Sequence, residues 1–370
     1  MNAPELRFKE FNDGWQKKEL REISQIYDGT HQTPNYIQNG VPFVSVEDIS
    51  DIEKTNKFIS KNAFEKEFKI KPQANDILMT RITAGIIGAT AIVKNNNPLG
   101  YYVSLALIRK NKEIDVNYLN QYINCFKFKK ELNKRIIHVA FPKKINLGDI
   151  GKCKISITSI NEQQKIGKML NILDRKIELQ SKKIEDLKLF KLSKYSLVFS
   201  KTNNKIKLSD ICIIEKGKQI NSDLLIEKGN YYMLNGGILP SGYLNEYNTN
   251  ENTVTISEGG NSCGYVNFNK TKFWCGGHCY KIISPSVNTS YLYHLLKHNE
   301  KIIMDLRVGS GLPNIQKKDL EALKLSIHKN DEQLKIGILF DTFDKKISLE
   351  TNKLTKLQEL KKALTQVMFV

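Results

Sequence analysis

The sequence predicts an α+β protein in which two similar halves, each of strands and short helices, alternate with two long helices. The first observation behind this prediction is an internal repeat, since residues 161–200 align with residues 331–370 without a gap and share 13 identities in 40 positions. The second is the helical periodicity of apolar residues in both copies. The third is the alternation of short apolar stretches with turn residues before each copy.

The repeat extends beyond these two segments. Residues 154–157 match 324–327, and the Leu, Ile, Ile and Gly spaced along residues 20–29 recur with the same spacing in 208–217. A repeat of this kind is typical of a duplicated structural unit. We therefore expect four segments, which are a first variable region over 1–157, a helix over 158–200, a second variable region over 201–327 and a helix over 328–370.

Both repeated segments have the apolar spacing of a coiled coil, with alternating steps of three and four residues. The spaced positions are Ile166, Leu170, Leu173, Ile177, Ile184 and Leu187 in the first copy and Ile336, Phe340, Phe343, Ile347, Leu354, Leu357 and Leu364 in the second. Each helix would span up to about 60 Å at ~1.5 Å per residue. We expect the two helices to pair with each other, and the alternative is that each packs on its own half.

The apolar stripes are interrupted at equivalent places in the two copies, by Gln180 and Glu350 and by Lys191 and Lys361. The preceding positions are apolar, so the stripe is predicted to drift around each helix through Leu179, Leu349, Phe190 and Leu360. Asn161 and Asp331 suit helix N-caps, followed by acidic residues in the first turn.

The variable regions are predicted to be mainly β with short helices. Apolar and β-branched stretches bounded by turn residues predict strands at Val41–Val46, Asp76–Thr80, Ala89–Val93 and Thr253–Ser257. Helices are expected at Tyr118–Lys134 and Tyr291–Asp305.

The charge balance points to a polyanionic partner. The chain has 57 Lys and Arg against 39 Asp and Glu, a formal net charge of +18 spread along its whole length. The alternative interpretation is that a Lys-rich and Asn-rich composition reflects an AT-rich genome.

Composition also bounds the class of protein. No apolar run approaches the ~18 residues needed to span a bilayer, and the N-terminal residues lack the apolar core of a signal peptide. We therefore expect a soluble cytoplasmic protein without a membrane partner. The spacing of its six cysteines indicates no disulfide framework, so we expect them to be reduced thiols.

Catalytic motifs are missing from the sequence. The three Gly-Lys pairs lack the Ser or Thr of a phosphate-binding loop, and there is no Asn-Pro-Pro-Tyr or Asp-Pro-Pro-Tyr clamp for an extruded base. Cys275-Gly276-Gly277-His278-Cys279 is the best metal candidate, but zinc needs three or four ligands in fixed geometry, and a Gly-rich turn before a strand is the simpler interpretation. We expect no catalytic residue, cofactor or metal in this chain.

The duplicated helix with its preceding strand resembles the conserved region of specificity subunits of type I restriction–modification systems. The resemblance rests on residues 154–157 and 161–166 with their repeat, and on the weaker motifs Gly14-Trp15, Asp76–Arg81, Gly276–Tyr280 and Gly309–Asn314. It covers essentially the whole chain. It implies that each variable region is a target recognition domain, and that the helices form an antiparallel coiled coil relating the two α/β domains by a pseudo-two-fold axis.

The same resemblance implies a set of partners. Double-stranded DNA would be bound here, while two modification subunits would carry S-adenosylmethionine and methylate adenine. Two restriction subunits would carry ATP and Mg for translocation and cleavage. This chain would be a non-catalytic subunit whose two halves read the two parts of a split DNA site, with the helices setting the unread gap and docking the modification subunits. Half-sites read by pseudo-symmetric domains lie about 34–36 Å apart.

Candidate DNA contacts lie in loops that offer donors and acceptors for base edges, or Lys, Arg and hydroxyls for phosphates. In the first half they are Thr30, His31, Gln32 and Thr33 in one loop, Thr80, Arg81 and Thr83 at a strand end, and Lys143 and Lys144 in a second loop. In the second half they are Lys216, Lys218 and Gln219, then Glu258 and Asn261, then Ser310 and Asn314. The alternative for each loop is an ordinary surface turn, and His31 and His278 are interpreted as structural.

Two other functions stay open on the sequence alone. One is a DNA methyltransferase or nuclease whose motif is not recognised. The other is a coiled-coil interaction protein whose positive charge is incidental.

Overall fold

The computed structural model describes residues 3–202, 204–309 and 311–370. The chain forms two compact units, of which the first comprises Met1–Gln180 with Lys353–Val370 and the second comprises Ser181–Asn352. Both long helices cross this division, so each unit contains part of each helix.

The first unit begins with short strands and helices and leads into the first long helix. Its elements are β1 (Gln16–Glu19), α1 (Leu20–Ile23), β2 (Ser24–Asp28), β3 (Val41–Val44), β4 (Phe58–Ile59), α2 (Lys61–Glu67), β5 (Ile77–Thr80), β6 (Ile82–Thr83), β7 (Thr90–Ile92), β8 (Gly100–Tyr101), β9 (Leu105–Lys110), α3 (Val116–Ile123), α4 (Phe126–Asn133), β10 (Lys143–Lys144), α5 (Leu147–Gly151), β11 (Lys154–Ile157) and the start of α6 (Ile160–Phe199).

The second unit follows a similar order with fewer elements. Its elements are β12 (Lys205–Lys207), β13 (Ile213–Lys216), β14 (Tyr231–Leu234), β15 (Gly242–Leu244), β16 (Thr253–Ser257), β17 (Val266–Asn269), β18 (Trp274–Cys275), β19 (Cys279–Ile283), α7 (Thr289–His298), α8 (Glu300–Asp305), α9 (Lys317–Glu321), β20 (Lys324–Ser326) and the start of α10 (Asn330–Met368).

The two units share three sheets of the same topology, and the first unit has in addition the antiparallel pair β6-β10. The first contains an antiparallel sheet of order β2-β9-β5-β7, and the second contains an antiparallel sheet of order β13-β19-β16-β17. A three-stranded sheet with one parallel pair follows in each, β4-β3-β8 and β15-β14-β18. An antiparallel pair before the long helix completes each unit, β1-β11 and β12-β20. The duplication predicted from the helices therefore includes the variable regions, and the α+β prediction is confirmed.

The predicted strands are found with small changes at their ends, whereas both predicted short helices are divided in two. The helix expected over Tyr118–Lys134 is α3 and α4, and Cys125 between them has extended φ and ψ. The helix expected over Tyr291–Asp305 is α7 and α8, joined at Asn299. In both units the break changes the direction of the chain, and the two short helices pack on the same hydrophobic core.

A repeated glutamine of each long helix binds the start of the neighbouring short helix, α3 or α7. The side chain of Gln163 accepts a hydrogen bond from the Asp115 backbone N–H at 2.9 Å, and Gln333 accepts one from Asn288 at 3.3 Å. Asp115 and Asn288 are the N-caps of α3 and α7. Buried glutamines at equivalent positions therefore fix where the short helix begins.

The core of each unit is completed by the end of a long helix. Phe369 is fully buried in the first unit, with its ring centroid 5.5 Å from that of Tyr118 and 5.0 Å from that of Tyr122. Phe199, its counterpart in the repeat, packs against Tyr291 and Phe340 in the second unit at 5.9 and 5.8 Å. The repeat thus supplies one buried phenylalanine side chain to each core.

The segments of α6 and α10 pack against each other and run antiparallel. In the second unit Lys183 pairs with Glu350, while Lys191, further along α6, pairs with the earlier Asp344 of α10. In the first unit Asp174 pairs with Lys361, which is the same ion pair related by the repeat. The predicted pairing of the helices is confirmed.

The seam between the helices does not drift. Glu350 is buried and Lys191 is only 12% exposed, so the polar positions stay within the three–four spacing. Leu179, Leu349 and Leu360 are about half-exposed instead, and Phe190, which is also half-exposed, lies against Phe343 of α10 with 5.6 Å between the ring centroids. The prediction of drift is wrong at the polar positions, because an ion pair across the seam satisfies the buried charge. The N-cap prediction is also wrong, since the helices begin at Ile160 and Asn330, before Asn161 and Asp331.

Replacing Gly167 with alanine is expected to destabilise the first unit. An added Cβ would lie 2.7 Å from the backbone nitrogen of Tyr118 and 2.9 Å from Cβ of Asn117, so α3 would have to move. Overpacking of this kind costs about 1–3 kcal/mol, and the higher helix propensity of alanine returns only about 1 kcal/mol. Urea unfolding of the full chain measures the difference.

Gly148→Ala is the matched control, because a Cβ there meets no atom within 4 Å. It should leave the urea midpoint unchanged or slightly raised. Gly337→Ala, whose Cβ would have its nearest neighbours at 3.1 Å, should cost less than Gly167→Ala. Equal midpoints for Gly167→Ala and Gly148→Ala would contradict the close approach of α3.

The stability of the second unit should depend on the protonation of His294. Its side chain is fully buried, and its ring nitrogens lie 2.8 Å from Tyr195 Oη and 3.1 Å from Asp341 Oδ1. Burial lowers the pKa of His294 below 6.5, against the opposing effect of the hydrogen bond with Asp341. The unfolded chain therefore takes up a proton that the folded chain refuses, and stability falls as pH drops below about 6.5.

His294→Gln introduces the residue that the first unit has at the equivalent place, Gln121 of α3. We expect the fall in urea midpoint between about pH 7.5 and pH 5.5 to become smaller in this variant. His31→Gln, which alters a side chain that is 72% exposed, serves as the control and should retain the wild-type dependence. A variant with an unchanged pH dependence would show that His294 does not carry it.

Candidate nucleic-acid interface

The candidate surface of the first unit is built at the ends of β2 and β5. Asp28 ends β2 and Arg81 follows β5, and the two strands are neighbours of β9 in one sheet. Arg81 Nη2 donates to Asp28 Oδ1 at 2.7 Å, the Gly29 backbone N–H donates to the same oxygen at 3.0 Å, and His31 Nε2 lies 2.9 Å from Oδ2. The Arg81 side chain is 9% exposed and the Asp28 side chain 32%. The carboxylate is therefore the member of this pair that a ligand can reach.

A loop from the same unit lies beside Arg81. The Ile145 N–H donates to the Arg81 carbonyl at 2.9 Å, and β6 pairs with β10, which places Thr83 opposite Lys143. Lys143 and Lys144 are exposed. Phe141, just before them, is 93% exposed. This loop therefore presents two cations and an aromatic side chain next to the Asp28–Arg81 pair.

The candidate surface of the second unit has the same elements. Lys216 ends β13 and donates from Nζ to Glu258 Oε1 at 2.5 Å, while His278 Nδ1 lies 3.5 Å from Glu258 Oε2. Tyr280 Oη donates to the Ile315 carbonyl at 3.1 Å, and burial raises the pKa of Tyr280 to about 12, so the phenol stays neutral. A cavity of about 500 Å³ opens here, lined by Lys216, Asn235, Glu258, Gly259, Gly260, His278, Leu312, Pro313 and Asn314.

Some of the predicted contact residues are used inside the fold. Thr80 is buried, and its hydroxyl donates to the Ile86 carbonyl and accepts from the Ala89 N–H, which closes the loop between β5 and β7. Thr30 is 9% exposed and lies 3.2 Å from Glu67 through its hydroxyl. These contacts give both hydroxyls a structural role.

Most of the other predicted residues are exposed. Those at the surface are His31, Gln32, Thr33, Lys143, Lys144, Lys216, Lys218, Gln219, Asn261 and Asn314. Thr83 is half-buried, and its hydroxyl accepts from the Gly85 N–H at 2.9 Å. Asn314 is brought to Glu258 by a bridge with Gly259. Ser310 lies outside the described residues.

Asp28 and Asn235 were not among the predicted contacts. Asn235 Oδ1 accepts from the His278 backbone N–H at 3.0 Å and lines the same cavity as Lys216. The repeat in the sequence already aligns Asp28 with Lys216, two residues of opposite charge. This alignment was the sequence signal that could have identified Asp28 as a candidate contact. The partner of each charge depends on strand register, which sequence patterns do not give.

The proposed alternative of a metal site has little support in the geometry. Cys275 and Cys279 are buried free thiols, as are the other four cysteines, and His278 faces Glu258. Among residues 3–202, 204–309 and 311–370, no three His, Cys, Asp or Glu side chains are grouped so that they could hold an ion. Within the same ranges, no helix combines the length and apolar character needed to cross a membrane.

Similarity to known proteins agrees with this architecture. The family model for the type I restriction modification DNA specificity domain matches residues 12–189 and again 200–359. A protein of Mycoplasma pneumoniae described as a type I specificity subunit is 34% identical over 144 residues, which cover 38% of this chain and 38% of that protein. A Methanocaldococcus jannaschii protein described as a type I restriction enzyme specificity subunit is 24% identical over 99% of this chain and 95% of its own length.

Solved structures share the fold. The crystal structure of a type I restriction–modification S subunit from M. genitalium superposes with a TM-score of 0.72 at 18% identity, over 100% of this chain and 99% of the other. A chain from a structural study of the assembly and conformational transition of the type I system gives a TM-score of 0.55 at 16% identity, over 95% of this chain and 96% of the other. With two matched domains that together cover most of its length, this chain belongs to the family of type I restriction–modification DNA specificity proteins.

Proposed function

We propose that this chain is the sequence-reading, non-catalytic subunit of a type I restriction–modification complex. The observation that carries the proposal is the duplicated specificity domain, which occurs here as two units of one topology with different surface residues. In this proposal residues 1–157 and 201–327 are the target recognition domains, and 158–200 and 328–370 are the helical spacers. Each domain reads one part of a split site in double-stranded DNA, and the spacers set the unread gap.

The charge of the chain supports DNA as the ligand. A net charge of +18 favours a polyanion, and exposed lysines lie next to the candidate surfaces of both units. The protruding Phe141 and Leu312 add apolar surface, since Leu312 is 83% exposed. Apolar contacts next to cations are common where proteins hold DNA.

The helices support docking of partner subunits. Leu179 and Leu349 are exposed at equivalent positions of the repeat, as are Phe190 and Leu360. Apolar surface repeated in this way suits two copies of one partner. We assign these positions to two modification subunits, which would bind S-adenosylmethionine, and we expect two restriction subunits with ATP and Mg in the full complex. Such a complex acts in the cytoplasm.

Removing the two loop lysines should weaken DNA binding without changing which sequence is preferred. Each phosphate contact contributes about 0.9 to the slope of log affinity against log salt concentration, so Lys143→Ala with Lys144→Ala should lower that slope by up to about 2. The control is Lys17→Ala with Lys112→Ala, two exposed residues at β1 and beyond the far end of β9. Equal slopes for the two double variants would argue against phosphate contacts by this loop.

The chain alone should not modify DNA. Methyl transfer to adenine needs a cofactor pocket and a clamp for the extruded base, and the sequence has no motif for either. We expect no transfer from labelled S-adenosylmethionine by the purified chain, and methylation at a defined split site after a modification subunit is added. Methyl transfer or cleavage that stays with this chain through purification would instead support an unrecognised catalytic site.

A further inference from the structure

The strand ladders align one surface position of the first unit with one of the second. In the first unit Asp28 pairs with Ala106 of β9, which pairs with Met79 of β5. In the second unit Lys216 pairs with Tyr280 of β19, which pairs with Ile256 of β16. Residues 28 and 216 are therefore structurally equivalent, in agreement with the match between residues 20–29 and 208–217 in the sequence.

The same ladders align Arg81 with Glu258, because Arg81 lies two residues after Met79 and Glu258 lies two residues after Ile256. Their backbones have the same partners, because the Ile145 N–H donates to the Arg81 carbonyl and the Ile315 N–H donates to the Glu258 carbonyl, both at 2.9 Å. Ile145 and Ile315 are themselves related by the repeat. The ion pairs Asp28–Arg81 and Lys216–Glu258 thus occupy one site of the fold, with the two charges exchanged.

In both units the residue at position 28 or 216 is the accessible member of the pair. Asp28 is 32% exposed over an Arg81 that is 9% exposed, and Lys216 is 52% exposed over a Glu258 that is 14% exposed. The first unit therefore presents an acceptor to the surface, and the second presents a donor. The less exposed partner holds that group in place and balances its charge.

Hydrogen-bonding capacity is left over on each accessible group. An ionised carboxylate has about four acceptor sites, and Asp28 uses three of them on Arg81, Gly29 and His31. An ammonium has about three donors, and one of those of Lys216 goes to Glu258. Asp28 can therefore accept one further hydrogen bond, and Lys216 can donate two.

The chemistry of DNA assigns different targets to these groups. A carboxylate is repelled by phosphates, so the groups that it can bind are the amino groups of cytosine and adenine in the major groove. An ammonium suits the adjacent O6 and N7 acceptors of guanine. We propose that residues 28 and 216 are equivalent base-discriminating positions, at which Asp28 selects an amino-bearing base and Lys216 selects guanine. This inference rests on the proposed function, because it requires that each unit faces DNA.

Exchanging the charges of one pair tests the proposal. The double variant Asp28→Lys with Arg81→Glu gives the first unit the polarity of the second and keeps the charges balanced. Selection from a randomised duplex library, with the full chain assembled with its modification subunits, should show one position in one half-site changing from cytosine or adenine to guanine. The preference should change by about tenfold or more, the size expected of one good base contact. The other half-site should be unchanged.

Matched variants separate the alternatives. Asp28→Glu with Arg81→Lys keeps the polarity and should keep the preferred base. Lys216→Asp with Glu258→Arg should alter only the other half-site. If the exchanged pair prevents folding of the first unit, Asp28→Asn replaces it in the test, because this substitution barely changes the shape of the side chain. Asp28→Asn should reduce the discrimination between bases at the same position. An unchanged preference in folded, charge-exchanged variants of both units would overturn the inference. A wild-type complex that selects no sequence would instead overturn the proposed function.

Discussion

Each long helix has to satisfy two cores, and the core of each unit depends on this constraint. Near its start α6 places Gly167 against α3 of the first unit, and it ends with Phe199 in the core of the second. In the same way α10 places Gly337 against α7 of the second unit and is followed by Phe369 in the core of the first. The glycine and the phenylalanine are equally far apart along both copies.

The polar residues of the helix seam serve the same constraint. An all-apolar seam would tolerate slippage by a heptad, whereas a polar residue at a seam position is satisfied only in one alignment. Lys191 with Asp344 and Lys361 with Asp174 are two copies of one pair, so a shift of either helix would break both. Charges in the seam lower the stability of the helix pair, but they restrict the two helices to a single register.

Several elements with a local structural pattern were predictable from the sequence. The helix seam and the strands Ile77–Thr80 and Thr253–Ser257 follow from periodicity and composition within a few residues. Residues whose role depends on distant partners were not predictable in this way. The buried role of Thr80 depends on a loop that folds back to Ile86, and the Asp28–Arg81 pair depends on the register of two strands with β9. Neither register nor loop closure is encoded in a short pattern.

The exchanged ion pair also bears on how the two units could have diverged from one ancestor. A single substitution that turned Asp28 into lysine would place two cations together, with Arg81 almost excluded from water. Its Nε already has no hydrogen-bond partner among the described residues. An uncompensated charge at such a site is strongly unfavourable, so the path between the two polarities requires both residues of the pair to change. Evolution at this position would then proceed by jumps between alternative states, with few viable intermediates.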